Sequence, residues 1–171
     1  MGYWNSMGQK GSVFEQMLNL TNDIYRKRSV ALVQKIPTPI TPVKISPDKR
    51  NISLAYFDSR STVDYIGVAN GRPIAFDAKD TSQKSLAMQN VHRHQIEFMR
   101  DFIKHGGLAF LLVRFVLYDE IYILPFDVLN EYWQRSAAGG RKSIPYAAFD
   151  KSLLVSVSGG LINYIEALQN L

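Results

Sequence analysis

The stretch STVDYIGVANGRPIAFDAKD, residues 61–80, contains two apolar runs that flank the dipeptide Asn70-Gly71. Asn-Gly between apolar runs is typical of a two-residue β-turn, which joins two antiparallel strands in a hairpin. Counting outward from this turn places Asp64 directly opposite Asp77. The stretch therefore predicts a hairpin that brings two carboxylates together on one face.

The paired carboxylates predict a cation site. Directly opposed residues have Cβ atoms about 4.5 to 5.5 Å apart, so two ionised carboxylates there repel each other. One Mg²⁺ ion, which takes oxygen ligands at about 2.0 to 2.1 Å, can bridge both groups, and Mn²⁺ is a possible substitute. The same register puts Thr62 opposite Lys79 on that face, where Lys79 can act on a phosphate oxygen or an attacking water.

Two alternatives to the cation site stay open. The carboxylates can be solvated on a sheet that has one exposed face, or a β-bulge can shift the register and separate them. Against solvation, the rest of this hairpin is apolar on both faces, and a buried carboxylate without a partner is costly.

Length and composition favour a single soluble domain over residues 1–171. The chain has 171 residues, 46% of them hydrophobic, which is enough for one packed core. It contains no cysteine, which excludes disulfides and thiolate metal sites. No apolar run approaches the roughly 18 residues of a membrane-spanning helix, and no secretory signal is recognisable. We therefore expect a cytoplasmic protein without a membrane partner.

The positive charge is concentrated in the first third of the chain. The net charge is +5, and residues 1–60 hold nine Lys or Arg against four Asp or Glu. A basic lobe suits a protein that binds phosphates, because neutralising them releases counterions. A merely soluble basic protein is the alternative.

Apolar periodicity predicts a mixed α/β sheet layered with helices. Three prolines in PTPITP, residues 37–42, exclude a helix there and favour extended backbone. The predicted elements are helices over residues 12–31, 88–104, 126–135 and 160–170, strands over 108–117 and 120–126, and two extended arms over 35–57.

Seven short motifs in a fixed order resemble those of a known family. The motifs are KIPTPITPVK, AYF, STVDYIGV, FDAK, HRHQIEFM, GGLAFLLV and GRKSI. Together they resemble the RecU family of bacterial Holliday junction resolvases, over about residues 8–164. Asp77 and Lys79 also resemble the (D/E)xK core of the wider nuclease superfamily. The resemblance implies a restriction-endonuclease-like mixed central sheet flanked by helices, with a projecting proline-rich stalk at about residues 35–57.

The resemblance also implies an activity and a set of site residues. A homodimer of this family would resolve four-way DNA junctions by paired symmetric nicks, in recombination and repair, with Mg²⁺ as cofactor. The catalytic residues would be Asp64, Asp77 and Lys79, and the metal ligands would be Thr62, Asp64, Asp77 and Gln95. The residues expected to meet DNA phosphates are Lys35, Lys44, Lys49 and Arg50 in the stalk, and Arg141 and Lys142 in a loop predicted to be flexible.

Departures from the family pattern leave rival functions open. The family usually has glutamate where this chain has Asp77, which shortens the reach of the carboxylate. A catalytically silent junction-binding protein is therefore one alternative, and a sequence-specific duplex nuclease of the same superfamily is another. A phage-borne or divergent bacterial origin fits the short amino-terminal tail.

Three further residues have two interpretations each. Glu15, in the first predicted helix, either supports the site or is an ordinary surface glutamate. His92 and His94 suggest zinc, but residues two apart on a helix should point to opposite sides, and no cysteine accompanies them. We expect them to be ordinary polar helix residues.

Overall fold

The structure, a computed structural model, describes residues 12–37, 39–47, 52–57 and 62–171. Its helices are α1 Ser12–Lys27, α2 Arg93–Lys104, α3 Phe126–Ala137 and α4 Tyr164–Ala167. Its strands are β1 Ala31–Lys35, β2 Ile40–Ile45, β3 Ile52–Phe57, β4 Tyr65–Ala69, β5 Arg72–Thr81, β6 Ser85–Ala87, β7 Leu108–Phe115, β8 Glu120–Pro125, β9 Ser143–Pro145, β10 Leu154–Val155, β11 Val157–Ser158 and β12 Leu161–Ile162.

Six strands form one central sheet in the order β1-β4-β5-β7-β8-β10. β5 and β7 run parallel, while every other neighbouring pair in this sheet is antiparallel. Since β5 and β7 are parallel, the chain crosses over between them, and the crossover carries α2. The predicted mixed central sheet is confirmed.

Helices and apolar side chains cover both faces of the sheet. On one face, the Phe76 ring stacks on Tyr65 at 4.8 Å and on Phe110 at 5.0 Å, and α1 packs there through Phe14 and Leu18. The other face carries a second buried cluster, which includes side chains of α2 and α3. Burying one large apolar side chain is worth about 1.5 to 3 kcal/mol. These two clusters hold the helices against a rigid sheet.

The central hairpin has the predicted register. Tyr65 pairs with Phe76 and Ala69 pairs with Arg72. Asn70 and Gly71 have φ values of +51° and +76°, as a type I′ turn requires. The pairing runs without a bulge, so the alternative of a shifted register is excluded.

Gly67, in β4, lies very close to the backbone of the neighbouring strand β1. A Cβ atom at this position would lie 2.2 Å from the carbonyl oxygen of Leu32. Only glycine therefore allows β1 to pair with β4 at this distance.

Three helix boundaries differ from the prediction. The first helix ends at Lys27 rather than near residue 31, because Ser29 adopts a positive φ of 56° and the chain turns into β1. α2 begins at Arg93, since Val91 has extended backbone after a single 3-10 turn. Residues 160–170 contain β12, the short helix α4 and a 3-10 turn. No helix in the described part of the chain has the length and apolarity to span a bilayer.

The proline-rich segment forms a separate two-stranded sheet. β2 and β3 pair antiparallel, with register shifts on either side of Lys44. Large apolar side chains on both strands are exposed, among them Val43 and Leu54. The predicted extended arms are present as β2 and β3, but Lys35 is not part of them: it is the last residue of β1 and pairs with Tyr65 in the central sheet. Lys49 and Arg50 lie outside the described residues, and the projection of these arms as a stalk stays a prediction.

Candidate active site

Three elements bring the predicted site residues together. Asp77 lies in the middle of β5, Asp64 immediately precedes β4, and Gln95 is in the first turn of α2. Asp64 is the next residue outward from the Tyr65 and Phe76 pair, so the hairpin register sets it beside Asp77. One Asp64 oxygen accepts a hydrogen bond from the backbone N–H of Ala78 at 3.2 Å. The two carboxylates are neighbours, as the turn predicts.

The two carboxylates repel each other. The pKa of Asp64 is raised from its ordinary 3.8 to about 6, first by burial and then by the charge and side chain of Asp77. The Ala78 N–H and the Lys79 ammonium act in the opposite direction. An excess of negative charge in a partly buried pocket favours a bound cation.

Asp77 is held from two sides. Its side chain is 0% exposed and forms an ion pair with the ammonium of Lys79, whose own side chain is 16% exposed. Its other oxygen accepts a hydrogen bond from Nε2 of Gln95 at 2.8 Å. A buried carboxylate is expensive unless it is paired, and these two donors meet that requirement. The prediction that Lys79 lies beside the carboxylates agrees with this geometry.

Gln95 presents its nitrogen, not its oxygen, to the acids. Its side-chain oxygen accepts a hydrogen bond from the backbone N–H of His92 at 2.9 Å, which caps the start of α2. To serve as an oxygen ligand, the amide must rotate and give up this cap. The structure therefore shows Gln95 as a support for Asp77, and its role as a metal ligand remains a prediction.

The donor set suits a hard cation such as Mg²⁺. In the described ranges, no three His, Asp or Glu side chains lie close enough together to hold a metal ion. Two carboxylates with neutral oxygen donors fit Mg²⁺, which keeps several waters and uses few protein carboxylates. Thr62 is half-buried and lies two residues before Asp64, outside the paired part of the hairpin.

Glu15 and Lys35 form an ion pair with each other. Both side chains are more than a third exposed, so the pair adds little stability. After burial, the charge of Glu15 is the largest cause that raises the pKa of the Tyr65 hydroxyl. Glu15, in α1, therefore lies near Tyr65 at the start of β4. Its supporting role in the active site stays a prediction.

The other predicted DNA contacts occupy two places. Lys44 is exposed on β2, far along the chain from the exposed Arg141 and Lys142 before β9. The Lys142 carbonyl accepts a hydrogen bond from the Met88 N–H at 3.0 Å, and Arg141 Nε donates to Ser143 Oγ at 3.2 Å. Arg141 and Lys142 lie in a loop between α3 and β9, as predicted, and the pairing of β9 with β6 holds the carboxyl end of that loop. The flexibility of the loop stays a prediction.

His92 and His94 do not point to opposite sides. Their rings stack at 5.5 Å with an interplanar angle of 14°. The prediction failed because His92 is the N-cap of α2 and has extended backbone, so helical spacing does not apply to it. Gln95 takes the part of the glutamine in a capping box, but the sequence signature of that motif has serine or threonine at the N-cap, where this chain has His92.

Gln95→Ala should lower the free energy of unfolding by about 1 to 3 kcal/mol. Gln95 is 6% exposed, and its loss leaves a buried Asp77 oxygen and the His92 N–H without their partner. Chemical denaturation at neutral pH, without divalent cations, measures the change. Gln134→Ala, at an exposed position of α3, is the matched control and should change stability by less than about 0.5 kcal/mol. Equal stability of the two variants would contradict the support given to Asp77.

Comparisons with known proteins agree on one family. The family model described as Recombination protein U, RecU, matches residues 9–170. A Bacillus cytotoxicus protein named Holliday junction resolvase RecU is 40% identical over 96% of this chain and 85% of its own length. Proteins of the same name from Oenococcus oeni and Geobacillus kaustophilus are 37% and 43% identical, over 96% and 80% of this chain and 86% and 70% of their own lengths.

A solved structure is also similar, at a lower level. It is Archaeoglobus fulgidus Hjc, described as a Holliday junction resolvase from an archaeal hyperthermophile, with 12% identity and a TM-score of 0.41 over 69% of this chain and 74% of that chain. A similarity this low carries no argument about function. The match along nearly the whole chain, together with identities near 40%, is decisive, and the chain belongs to the RecU family.

Proposed function

We propose that this protein is a divalent-metal-dependent endonuclease that resolves four-way DNA junctions by paired nicks, in recombination and repair. The observation that carries the proposal is the pair of facing acids, Asp64 and Asp77, with Lys79 bound to the buried one. The names of its relatives, Holliday junction resolvase RecU, specify the branched substrate. We propose that residues 1–171 form one nuclease domain.

In the proposed cleavage of DNA, a cation and the side chains of this chain would have different parts. Asp64 and Asp77 would hold Mg²⁺, or Mn²⁺ in its place, with Thr62 and a rotated Gln95 as neutral donors. When bound, the ion supplies a water of lowered pKa and neutralises charge on the phosphate. Lys79 carries its ammonium on a flexible four-carbon stem, so the ammonium would be able to turn from Asp77 to a phosphate oxygen once a cation compensates the charge of the acids. On this proposal, the ion pair with Asp77 keeps the Lys79 ammonium next to the place where the phosphate would bind.

Basic residues would guide the DNA to these acids. Lys44 on the extended arms and the pair Arg141 and Lys142 expose positive charge to phosphates. Lys35 would join them by releasing Glu15, while Lys49 and Arg50 are proposed from the sequence alone. Because phosphate contacts release counterions, junction binding should weaken steeply as salt rises.

An exposed apolar row supports the proposed homodimer. Leu32, Val68 and Pro73 are direct neighbours across β1, β4 and β5, and Pro73 is on the face of β5 that carries Asp77. Leu32 is 58% exposed and Val68 is 46% exposed. A two-fold dimer buries the same patch of both subunits, and an uncovered apolar row suits such an interface. Two sites in one dimer would account for paired nicks.

We also propose that the protein acts in the cytoplasm of a bacterium, encoded by the host or by a phage. The relatives are bacterial, and the substrate, chromosomal or phage DNA in a branched form, is found in that compartment.

The direct test compares a labelled four-way junction with linear duplexes of the same arm sequences. In Mg²⁺ we expect symmetric nicks in two junction strands whose products can be ligated, with little cutting of the duplexes. In Ca²⁺ or EDTA we expect no nicks. Binding without nicking would favour the silent junction-binding protein, whereas cutting of linear duplex at a fixed sequence would favour the duplex nuclease.

A further inference from the structure

A cavity of about 420 Å³ opens beside the start of α2. Met88 and Val91 line it from the segment before α2, Trp133 and Ser136 line it from α3, and Lys142 lines it from the segment before β9. Its volume lies within the range of about 300 to 1,000 Å³ that is typical of sites for small organic groups.

The lining suits a flat aromatic group that carries phosphate. Trp133 is half-buried and borders the cavity, so its indole can contact a ligand there. Apolar contacts come from Met88 and Val91, and polar contacts are available from the Gln89 amide and the Ser136 hydroxyl. Nucleobases bind proteins by stacking on aromatic rings and by hydrogen bonds to their edges. The charge of Lys142 favours the attached phosphodiester.

One wall of the cavity is connected through a short stretch of chain to the residue that holds Asp77. Val91, in the lining, is four residues before Gln95, whose amide donates to Asp77. Four residues span at most about 14 Å, which is a few steps of a DNA strand at about 3.4 Å per nucleotide. This limit applies to the Cα atoms of Val91 and Gln95, and it lets one DNA strand reach from the cavity to the acids in several nucleotides.

The cavity is also preformed. The Met88 N–H donates to the Lys142 carbonyl at 3.0 Å, and Ala87 pairs with Ser143 across β6 and β9. These contacts fix two walls in the protein without DNA. A preformed site avoids the entropy cost of ordering the binding residues.

We propose that this cavity receives one unstacked nucleobase of the cleaved DNA strand, which stacks on Trp133 and so helps to choose where the strand is cut. The inference rests on the proposed function. A branch point interrupts base stacking, so a base there is withdrawn at lower cost than one from continuous duplex. The cavity thus adds a contact that linear duplex provides less readily.

Fluorescence of Trp133 gives the first test. The chain has two tryptophans, Trp4 and Trp133, so Trp4→Phe leaves Trp133 as the sole indole. This variant is titrated with a four-way junction in Ca²⁺, while a mobility shift measures binding independently. We expect Trp133 emission to be quenched in parallel with binding. Saturated binding with unchanged emission would overturn the inference but leave the proposed function standing, and absence of junction binding would overturn both.

Abasic junctions give the second test, which also identifies the nucleotide. A series of junctions carries one abasic site at successive positions around the cut. At one position the wild-type protein should cut about ten-fold more slowly, the scale of one lost stacking contact. Trp133→Ala should lose about ten-fold on the intact junction and nothing further on that abasic junction, and it should spread its cuts over more positions.

Variants separate this role from a structural one. Tyr132→Ala removes the next ring on α3, which packs on the same cluster but lies outside the cavity lining, and it should cut the abasic series as wild type does. Trp133→Phe keeps a stacking surface and should restore most of the rate. Melting curves show whether each variant folds. If Trp133→Ala and the abasic site slow cutting independently at every position of the series, so that their factors multiply, stacking on Trp133 is refuted.

Discussion

Asp64→Asn is expected to slow Mg²⁺-dependent nicking of a four-way junction by at least about 10³-fold. Asparagine has the same shape and can still accept the hydrogen bond from the Ala78 N–H, so the variant removes one negative charge and little else. A site that holds a cation between two carboxylates loses most of its affinity when one carboxylate is neutral. Single-turnover nicking in saturating Mg²⁺ measures the effect.

Binding serves as the internal control for this loss. Junction affinity of Asp64→Asn in Ca²⁺ should stay within a few-fold of wild type, because most of the affinity comes from basic residues elsewhere. Asp119→Asn changes an exposed aspartate in the turn between β7 and β8, where φ is positive and asparagine is well tolerated, and it should nick normally. Nicking by Asp64→Asn at the wild-type rate would remove Asp64 from the active site.

The same substitution should stabilise the protein in the absence of divalent cations. The pKa of Asp64 in the folded protein is about 6, above its ordinary 3.8, so the folded state binds this proton more tightly than the unfolded chain does. The charged form therefore costs stability at pH values above the folded pKa. The difference corresponds to about 3 kcal/mol at neutral pH, or roughly 5 to 10 °C in Tm.

The pH dependence distinguishes this effect from a general gain in packing. The advantage of Asp64→Asn over wild type should be full above about pH 7, shrink between pH 6 and 4, and vanish below the unfolded pKa near 4. Thermal melts in EDTA over this range provide the measurement. A variant less stable than wild type at pH 7.5, or a gain that persists at pH 3, contradicts the destabilising effect of a charged Asp64 that is buried beside Asp77. Lower stability with an intact acid pair is the usual cost of a site built for function.

The hairpin at the site was predictable because its determinants are local. Asn70-Gly71 specifies the turn, the turn specifies the register, and the register places Asp64 beside Asp77. Each step involves residues close together in the chain. The central strands were predictable for a similar reason, since their apolar runs are long enough to indicate strands before any partner is known.

The remaining features of the site depend on contacts between distant segments. The anchoring of Lys142 follows from pairing between β6 and β9, which are short and carry no pattern of their own. The orientation of the Gln95 amide is decided jointly by Asp77, in another layer, and by the N-cap His92. Turn and periodicity rules contain no information about such partners. Similarity to a family pointed to Gln95, but only coordinates show which atom faces the acid.

The first turn of α2 has a consequence for how sequence preference could be expressed. Val91 borders the cavity in the extended segment that leads into α2, and Gln95, in the first turn of α2, holds Asp77. His92, next to Val91, donates its N–H to the Gln95 side chain, so a base that displaces Val91 would also disturb the contact between Gln95 and Asp77. If the proposed base site exists, discrimination between cutting positions would therefore appear in the rate of cutting of bound DNA, in addition to any difference in affinity.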